Sequence, residues 1–476
     1  MTESTIPTLK SYLLDALSKE ARGKRDFEVH ILRSQPKRSH ALFPWATDPT
    51  VKIYQEHTLV VLAERSGISS EQTDSVAPDG ENEILSVPVF GLEIAIYFIP
   101  VTSVALLYVS KIDTTGLLPT SAPSRVLTTS LLQYYLLHHP HAAELFRVHV
   151  FARSQDQYLF PGSIDNKAKR VLDDTGLCIW WRSVLGEAAS RLHSSTPPSG
   201  NLKLFYLLGG CTYQESLPLL GKATLPDNAS ALQWVYGHPY RSIPSPLPGK
   251  VDQLTLNDLI PAFQDDPKSR YLTSLTSSPV PAAGDQGDYD DVMEQLHKRS
   301  DTSNAIAAMR MQDMEQQRNR ERSRLVGRNV DEYWECMGGR QECCAGHVAG
   351  FFVLASEKTG VQKNTGATPP MHTTPEAAPA SFSHSNYVRL WSAIHNVNYA
   401  SITKTAEAYV RWSADMRHAA SRSGISDEGY LTEVIGRGHV DNPVVLKDPS
   451  LLKRTEPPKS ITTLQVKKKK QKLAAN

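Results

Sequence analysis

The strongest constraint on the fold is an apolar run split by one turn. Leu92 to Phe98 and Val104 to Val109 are strand-forming stretches separated by Pro100-Val101-Thr102-Ser103, and that spacing predicts a hairpin of core strands. Pro88, Glu93, Pro100 and Ser103 interrupt Val87 to Val109, so it does not read as a membrane span.

Strand signals precede the hairpin: Phe27 to Leu32 alternates, as does Val51 to Tyr54 running into Leu59 to Leu62. Ahead of them, residues 7–22 read as an amphipathic helix with Leu9, Leu13, Leu14 and Leu17 on one face. Ser66 to Asn82 is a polar loop. Residues 124–147 read as helical, with Val126, Leu131, Leu132, Tyr135 and Leu136 apolar, and Val148 to Phe151 resumes as a strand. Asp173-Asp174-Thr175 is placed to cap a helix through Trp180-Trp181 to about Arg191. Leu202 to Leu208 is a short apolar stretch, and Pro239 to Pro248 a proline-rich connector. Order returns near Val330 with Tyr333-Trp334-Glu335 and a strand-like Val348 to Leu354, and a helical pair follows at 385–398 and 402–423.

Together these imply one α+β domain over 1–440, with a central mixed β-sheet flanked by helices. Ser-, Pro-, Gly- and Asp-rich composition predicts disordered insertions at about 276–327, flexible except for a polar helix, and at about 356–384. Residues 441–476 read as a basic flexible tail containing Lys467-Lys468-Lys469-Lys470. Such a run is either a solvated tail or a nuclear address and chromatin contact. The 476-residue chain has 40% apolar residues, net charge +1 and five cysteines (Cys178, Cys211, Cys336, Cys343, Cys344). The odd count and sparse spacing predict a reducing compartment, and the polar start carries no signal-peptide pattern, so a soluble intracellular protein is expected. Cys343, Cys344 and His347 lack the second spaced pair of a structural zinc site; no metal is expected.

Two segments carry candidate chemistry. Arg153 to Pro161, continuing through Lys167, Lys169 and Arg170 to Trp180-Trp181, concentrates cations, a tyrosine and paired tryptophans. Cations suit phosphates, and aromatic and aliphatic walls suit a long acyl carrier arm, although a solvated basic turn reads the same way. Phe263 to Tyr271 places Asp265 and Asp266 before Pro267 and Lys268. That is a carboxylate pair for receiving a cationic substrate, or simply a helix start. A helix turns about 100° per residue, so Trp180 and Trp181 cannot face the same way: one packs inward and the other is available to wall a pocket.

In this order and spacing the segments resemble the fungal Regulator of Ty transposition family, histone H3 lysine acetyltransferases related in fold to the CREB-binding-protein acetyltransferases. Tyr108 to Gly116, Gln157 to Lys169, Trp180-Trp181, Asp265 to Arg270, and Tyr333 to Cys343 each resemble a family motif, covering most of 85–355. The resemblance implies acetyl-CoA as co-substrate, bound by Arg153, Gln155, Tyr158, Lys169, Arg170 and Arg270. It implies a lysine channel shaped by Tyr108, Asp113, Trp181, Asp265 and Asp266, with Lys268 matching a self-acetylated lysine. It further implies a nuclear enzyme of chromatin assembly, replication and the DNA damage response. Its substrate would be histone H3–H4, modified at the lysine-fifty-six site and on tail lysines, with chaperones of the anti-silencing-function and nucleosome-assembly types as partners. Neither membrane binding nor sequence-specific DNA binding is expected. The chain is short between Leu136 and Phe146, where the budding-yeast member has a long insertion that contacts its nucleosome-assembly chaperone. The competing readings are a non-enzymatic chromatin scaffold and an acyl-CoA transferase for small amines.

Overall fold

Strand alternation resolves into one large mixed sheet. A computed structural model of the chain describes residues 7–21, 24–68, 83–193, 201–220, 232–249, 254–276, 302–340, 348–358, 380–425 and 431–437. In chain order α1 (Leu9–Glu20) leads into β1 (Lys24–Ser34), β2 (Lys37–Arg38), β3 (Tyr54–Ile68), β4 (Glu83–Ile99) and β5 (Val104–Thr114). Next come α2 (Ser124–Leu137), β6 (Leu145–Ala152), α3 (Asp174–His193), β7 (Asn201–Leu208), α4 (Tyr213–Leu220) and β8 (Trp234–Tyr236). The acidic segment follows a short α5 (Leu256–Leu259) and starts α6 (Pro267–Thr276). The remainder is α7 (Thr302–Ser323), α8 (Val330–Gly338), β9 (Gly350–Glu357), β10 (Ser381–Phe382), α9 (His384–His395), α10 (Ile402–Arg422) and β11 (Leu431–Arg437).

The sheet runs β10-β1-β3-β4-β5-β6-β9-β7-β8, with β11 also pairing β1 and β2 pairing β3. Three pairings are parallel (β1/β10, β5/β6, β7/β8) and the others antiparallel. This is the mixed sheet flanked by helices that the alternation predicts. The β4–β5 hairpin closes through the 3-10 turn Pro100–Thr102, with Ser103 in the left-handed region at φ 52°.

Both faces of the sheet are covered. Leu13 and Leu17 of α1, Leu131 and Leu132 of α2, and Trp181, Val184 and Leu185 of α3 pack with Leu92, Ile94, Leu107 and Val109 on one side. On the other, Leu59 and Val61 meet Leu390, Tyr409 and Trp412 of α9 and α10, together with Leu159 and Phe160. Beside these, Phe263 covers Ala95, Tyr97, Leu106 and Tyr108.

Two sequence readings need correcting. The helix predicted over 124–147 ends at Leu137, and β6 begins at Leu145. Pro140 has no N–H to donate, and its ring would clash with the carbonyl four residues earlier, so the apolar periodicity cannot continue. The polar helix predicted inside 276–327 is present as α7, but its last turns are anchored. The Trp45 indole donates to Glu321 at 2.9 Å, Arg318 donates to the Pro44 carbonyl at 2.6 Å, and Leu325 is buried. Residues 277–301, most of the predicted 356–384 insertion, the 441–476 tail, and the Cys343, Cys344 and His347 cluster lie outside the described residues. Among the described residues no helix is long and apolar enough to cross a membrane.

Candidate active site

A single extra residue in β5 organises the site. Glu93 pairs with Lys111 but Ile94 pairs with Val109, which leaves Ser110 as a bulge. In a regular strand Tyr108 and Asp113, five apart, would point to opposite faces. The bulge restores Tyr108, Lys111 and Asp113 to one face, opposite Ala95, Glu93 and Gly91. Burial agrees: Tyr108 packs with Phe263, whereas Val109 and Ile112 face the helices of the opposite side. The two ends of this row, Gly91 and Ala95, lie four residues apart, roughly 13 Å at strand rise.

At one end Asp113 anchors the basic segment. Its Oδ2 accepts the backbone N–H groups of Tyr158 at 2.8 Å, Leu159 at 3.0 Å and Phe160 at 3.3 Å. Its Oδ1 accepts from the Thr114 N–H and from Lys169 Nζ, both at 2.8 Å. Lys169 also donates to the Ser163 hydroxyl, and the pair is almost wholly buried. The loop can lie this close because of two glycines. A Cβ at Gly91 would press on Phe160, and one at Gly116, where φ is +65°, would collide with the Lys169 backbone. The Tyr158 hydroxyl donates to the Arg153 carbonyl, and burial pushes its phenol up, so it stays neutral.

This loop and the start of α3 enclose a cleft of about 130 Å³ lined by Asp113, Gln155, Tyr158, Lys169, Arg170 and Trp180, with Val171, Leu172 and Leu177 as its apolar wall. The predicted capping is present at Asp173, whose carboxylate accepts the Gly176 N–H at 2.6 Å; Asp174 instead accepts the Ser154 N–H at 2.8 Å and ties the loop to α3. The tryptophans divide as their spacing requires. Trp181 is 2% exposed in the core, and Trp180, edge-on to it at 4.8 Å, walls the cleft. A cleft with an exposed Arg170 in its lining, the exposed apolar Val171 and Leu172, and an indole wall fits a phosphate-bearing carrier with an apolar arm.

At the other end lies the acidic corner. Tyr108 stacks flat on Phe263 at 4.4 Å, and burial, with Asp266 nearby, drives its phenol pKa well up. Asp266 is 0% exposed. Its carboxylate accepts the Lys268 N–H at 2.9 Å and pairs with Lys268 Nζ, which lies over the Phe263 and Phe351 rings. Asp265 is exposed and held at φ 60°, a conformation that non-glycine residues adopt at a cost of about 1–3 kcal/mol and that is enriched at functional sites. Arg270 is exposed beside it.

The structure therefore brings Asp113, Gln155, Tyr158, Lys169 and Arg170 to one cleft. Tyr108, Asp265, Asp266, Lys268 and Arg270 gather at the far end of the same sheet face. Arg153 and Trp181 do not line the cleft. The sequence reading passed over Glu93, Lys111 and Trp391, which lie between the two ends. The Trp391 indole donates to Glu93 Oε1 at 3.0 Å, and Lys111 Nζ sits 3.7 Å from Glu93 Oε2 and 5.3 Å from the Trp391 ring. Burial, and then the Asp265 charge, push the Glu93 carboxyl above the usual carboxylate range against the opposing pull of Lys111. The available signal was a carboxylate stranded in the most apolar strand of the chain.

The histone acetyltransferase KAT11-type domain family model matches residues 11–141 and 124–415, which contain every one of these residues. The chain belongs to that family. It is 27% identical over 313 residues to a histone acetyltransferase rtt109 of Aspergillus flavus, covering 61% of this chain and 48% of the relative. It is also 27% identical over 278 residues to the Schizosaccharomyces pombe histone acetyltransferase rtt109, covering 56% of this chain and 57% of the relative. The chain thus spans about half the length of the curated relatives it matches. The crystal structure of Rtt109 from Aspergillus fumigatus superposes with a TM-score of 0.61 at 22% identity, over 90% of this chain and 99% of that one, and shares the family fold.

Proposed function

We propose that this protein transfers the acetyl group of acetyl-CoA to lysine side chains of histone H3 presented with H4, the lysine-fifty-six site and amino-terminal tail lysines among them. The observation that carries the reading is the family match across 11–415, which spans both the Asp113-anchored cleft and the acidic corner. Acetyl-CoA supplies the thioester acyl group. Gln155, Tyr158 and Arg170 are the proposed cofactor contacts; of the other residues the resemblance implies, Arg153 and Arg270 lie outside the cleft. Because Lys169 is consumed by Asp113, the exposed Arg170 is the better phosphate partner, and Lys169 holds the loop.

The acceptor amine, with an ordinary pKa near 10.4, must lose a proton before it attacks. A buried aromatic corner around Tyr108 and Phe263 favours that loss, and the Asp265 carboxylate opposes it, so Asp265 suits docking and orientation. No cysteine is needed for an acyl-enzyme step; Cys178 is buried, and burial pushes its thiol up to about 12. Asp113, Trp181 and Asp266 act from beneath, holding the loop and the corner in place. Lys268, next to Asp266, is the proposed self-acetylated residue. Nuclear localisation, replication-coupled chromatin assembly with histone chaperones, and a role in the DNA damage response follow from the same reading.

The test is transfer of labelled acetyl from acetyl-CoA to H3–H4, with and without an anti-silencing-function-type chaperone, followed by mass-spectrometric mapping of the modified lysines. Label on H3 lysines supports the proposal. Binding of H3–H4 without label would make the protein a scaffold, and label on small amines alone would make it a different transferase.

A further inference from the structure

Three pieces cover the β4–β5 face around its centre. Leu159 and Phe160 close over Gly91, Phe263 closes over Ala95 and Tyr108, and α9 closes over Leu59 and Val61. Glu93 and Lys111 occupy the register position between them. Glu93 is 8% exposed, yet among the described residues its Oε2 accepts no hydrogen bond; Lys111 Nζ pairs with it at 3.7 Å, beyond hydrogen-bonding distance. The Lys111 side chain keeps 27% of its exposure, so this position is reached from solvent.

A buried carboxylate oxygen that accepts no hydrogen bond, held only by a distant ion pair beside an indole face, is what a lysine ammonium needs to leave water: a counter-charge and a cation–π surface. A lysine already lies there, loosely. The acidic corner makes the need sharper, because Asp266 is fully buried and spent on Lys268, which leaves Asp265 as the only exposed member of that carboxylate pair.

We propose that Glu93 and Trp391 form the subsite for the ammonium of the acceptor lysine, and that Lys111 fills it until an acceptor displaces it. The inference rests on the acetyltransferase reading above for the identity of the acceptor, but the subsite itself is defined by its affinity for a primary ammonium. Asp265 lies along the approach, steering the incoming lysine towards Glu93.

The test uses the full chain and n-butylammonium as the probe, read by intrinsic tryptophan fluorescence, alongside steady-state acetylation of H3–H4. Lys111→Met is expected to bind n-butylammonium at least tenfold more tightly than the parent chain and to lower the KM for H3–H4. Adding Glu93→Gln to Lys111→Met is expected to abolish that gain, and adding Glu93→Asp to restore part of it. The dissociation constant for acetyl-CoA stays within twofold in all three. A Lys111→Met chain that is folded by circular dichroism but binds the probe no better, or whose KM for H3–H4 rises, overturns the subsite. Should Glu93→Gln fail to fold, Lys111→Met and Trp391→Leu decide the matter, the latter with an expected loss of probe binding. Probe binding as expected in a chain that acetylates nothing would sink the acetyltransferase reading and leave the ammonium subsite standing.

Discussion

Asp113→Ala removes the acceptor for four backbone N–H groups and the counter-charge of a buried lysine in one step. Removing one partner of a buried ion pair costs about 3–5 kcal/mol, because the other charge is left uncompensated. Each backbone N–H left without water adds about 1–3 kcal/mol, but the 157–162 loop can lift towards solvent and recover most of that. A loss of about 4 kcal/mol in urea-monitored stability is therefore expected, together with at least a tenfold weaker affinity for acetyl-CoA by titration calorimetry. Asp113→Ala/Lys169→Met removes both charges and should regain about 2 kcal/mol of stability while recovering no affinity, since the loop still lacks its anchor. An Asp113→Ala chain with the parent's urea midpoint and acetyl-CoA affinity would refute the role given to this carboxylate. So would a double variant no more stable than the single.

Trp181→Ala is expected to cost about 3–5 kcal/mol of stability, as for any large aromatic removed from a core, whereas Trp180→Ala should melt within a few degrees of the parent and weaken acetyl-CoA binding; thermal denaturation beside cofactor titration separates them. Gly116→Ala combines a left-handed backbone with a collision against Lys169, so stability should fall by more than the roughly 1–3 kcal/mol of strain alone, read by urea unfolding. His57, His139 and His395 are held down at about 4 by burial. Their ordinary value is near 6.5, so the unfolded chain binds more protons at pH 5 than the folded one does. Their contribution is thus complete above pH 6.5 and lost as pH falls towards 4, at up to about 1.4 kcal/mol per histidine per pH unit. A urea midpoint that stays flat from pH 7 to pH 5 would contradict that.

Element identity was legible in the chain wherever periodicity was long. The core hairpin, the capped helix carrying Trp180 and Trp181, and the paired helices near the end all follow from local spacing, because a helix or a strand buries one repeating face. The two candidate segments were legible as well, since unusual residue types stood close together in sequence. Their chemistry was not, because a side chain's role depends on what it is spent against. Lys169 reads as a phosphate cation until Asp113, 56 residues earlier, is found to neutralise it, and Asp266 reads as a substrate receptor until Lys268 occupies it. Glu93 reads as an interruption in an apolar strand. Only the bulge at Ser110, which sets Lys111 opposite it on the same face as Tyr108, and the arrival of Trp391, 298 residues later, give it partners. A one-residue shift in register reverses which face every following side chain takes, and the pairing that sets it forms only when distant strands meet.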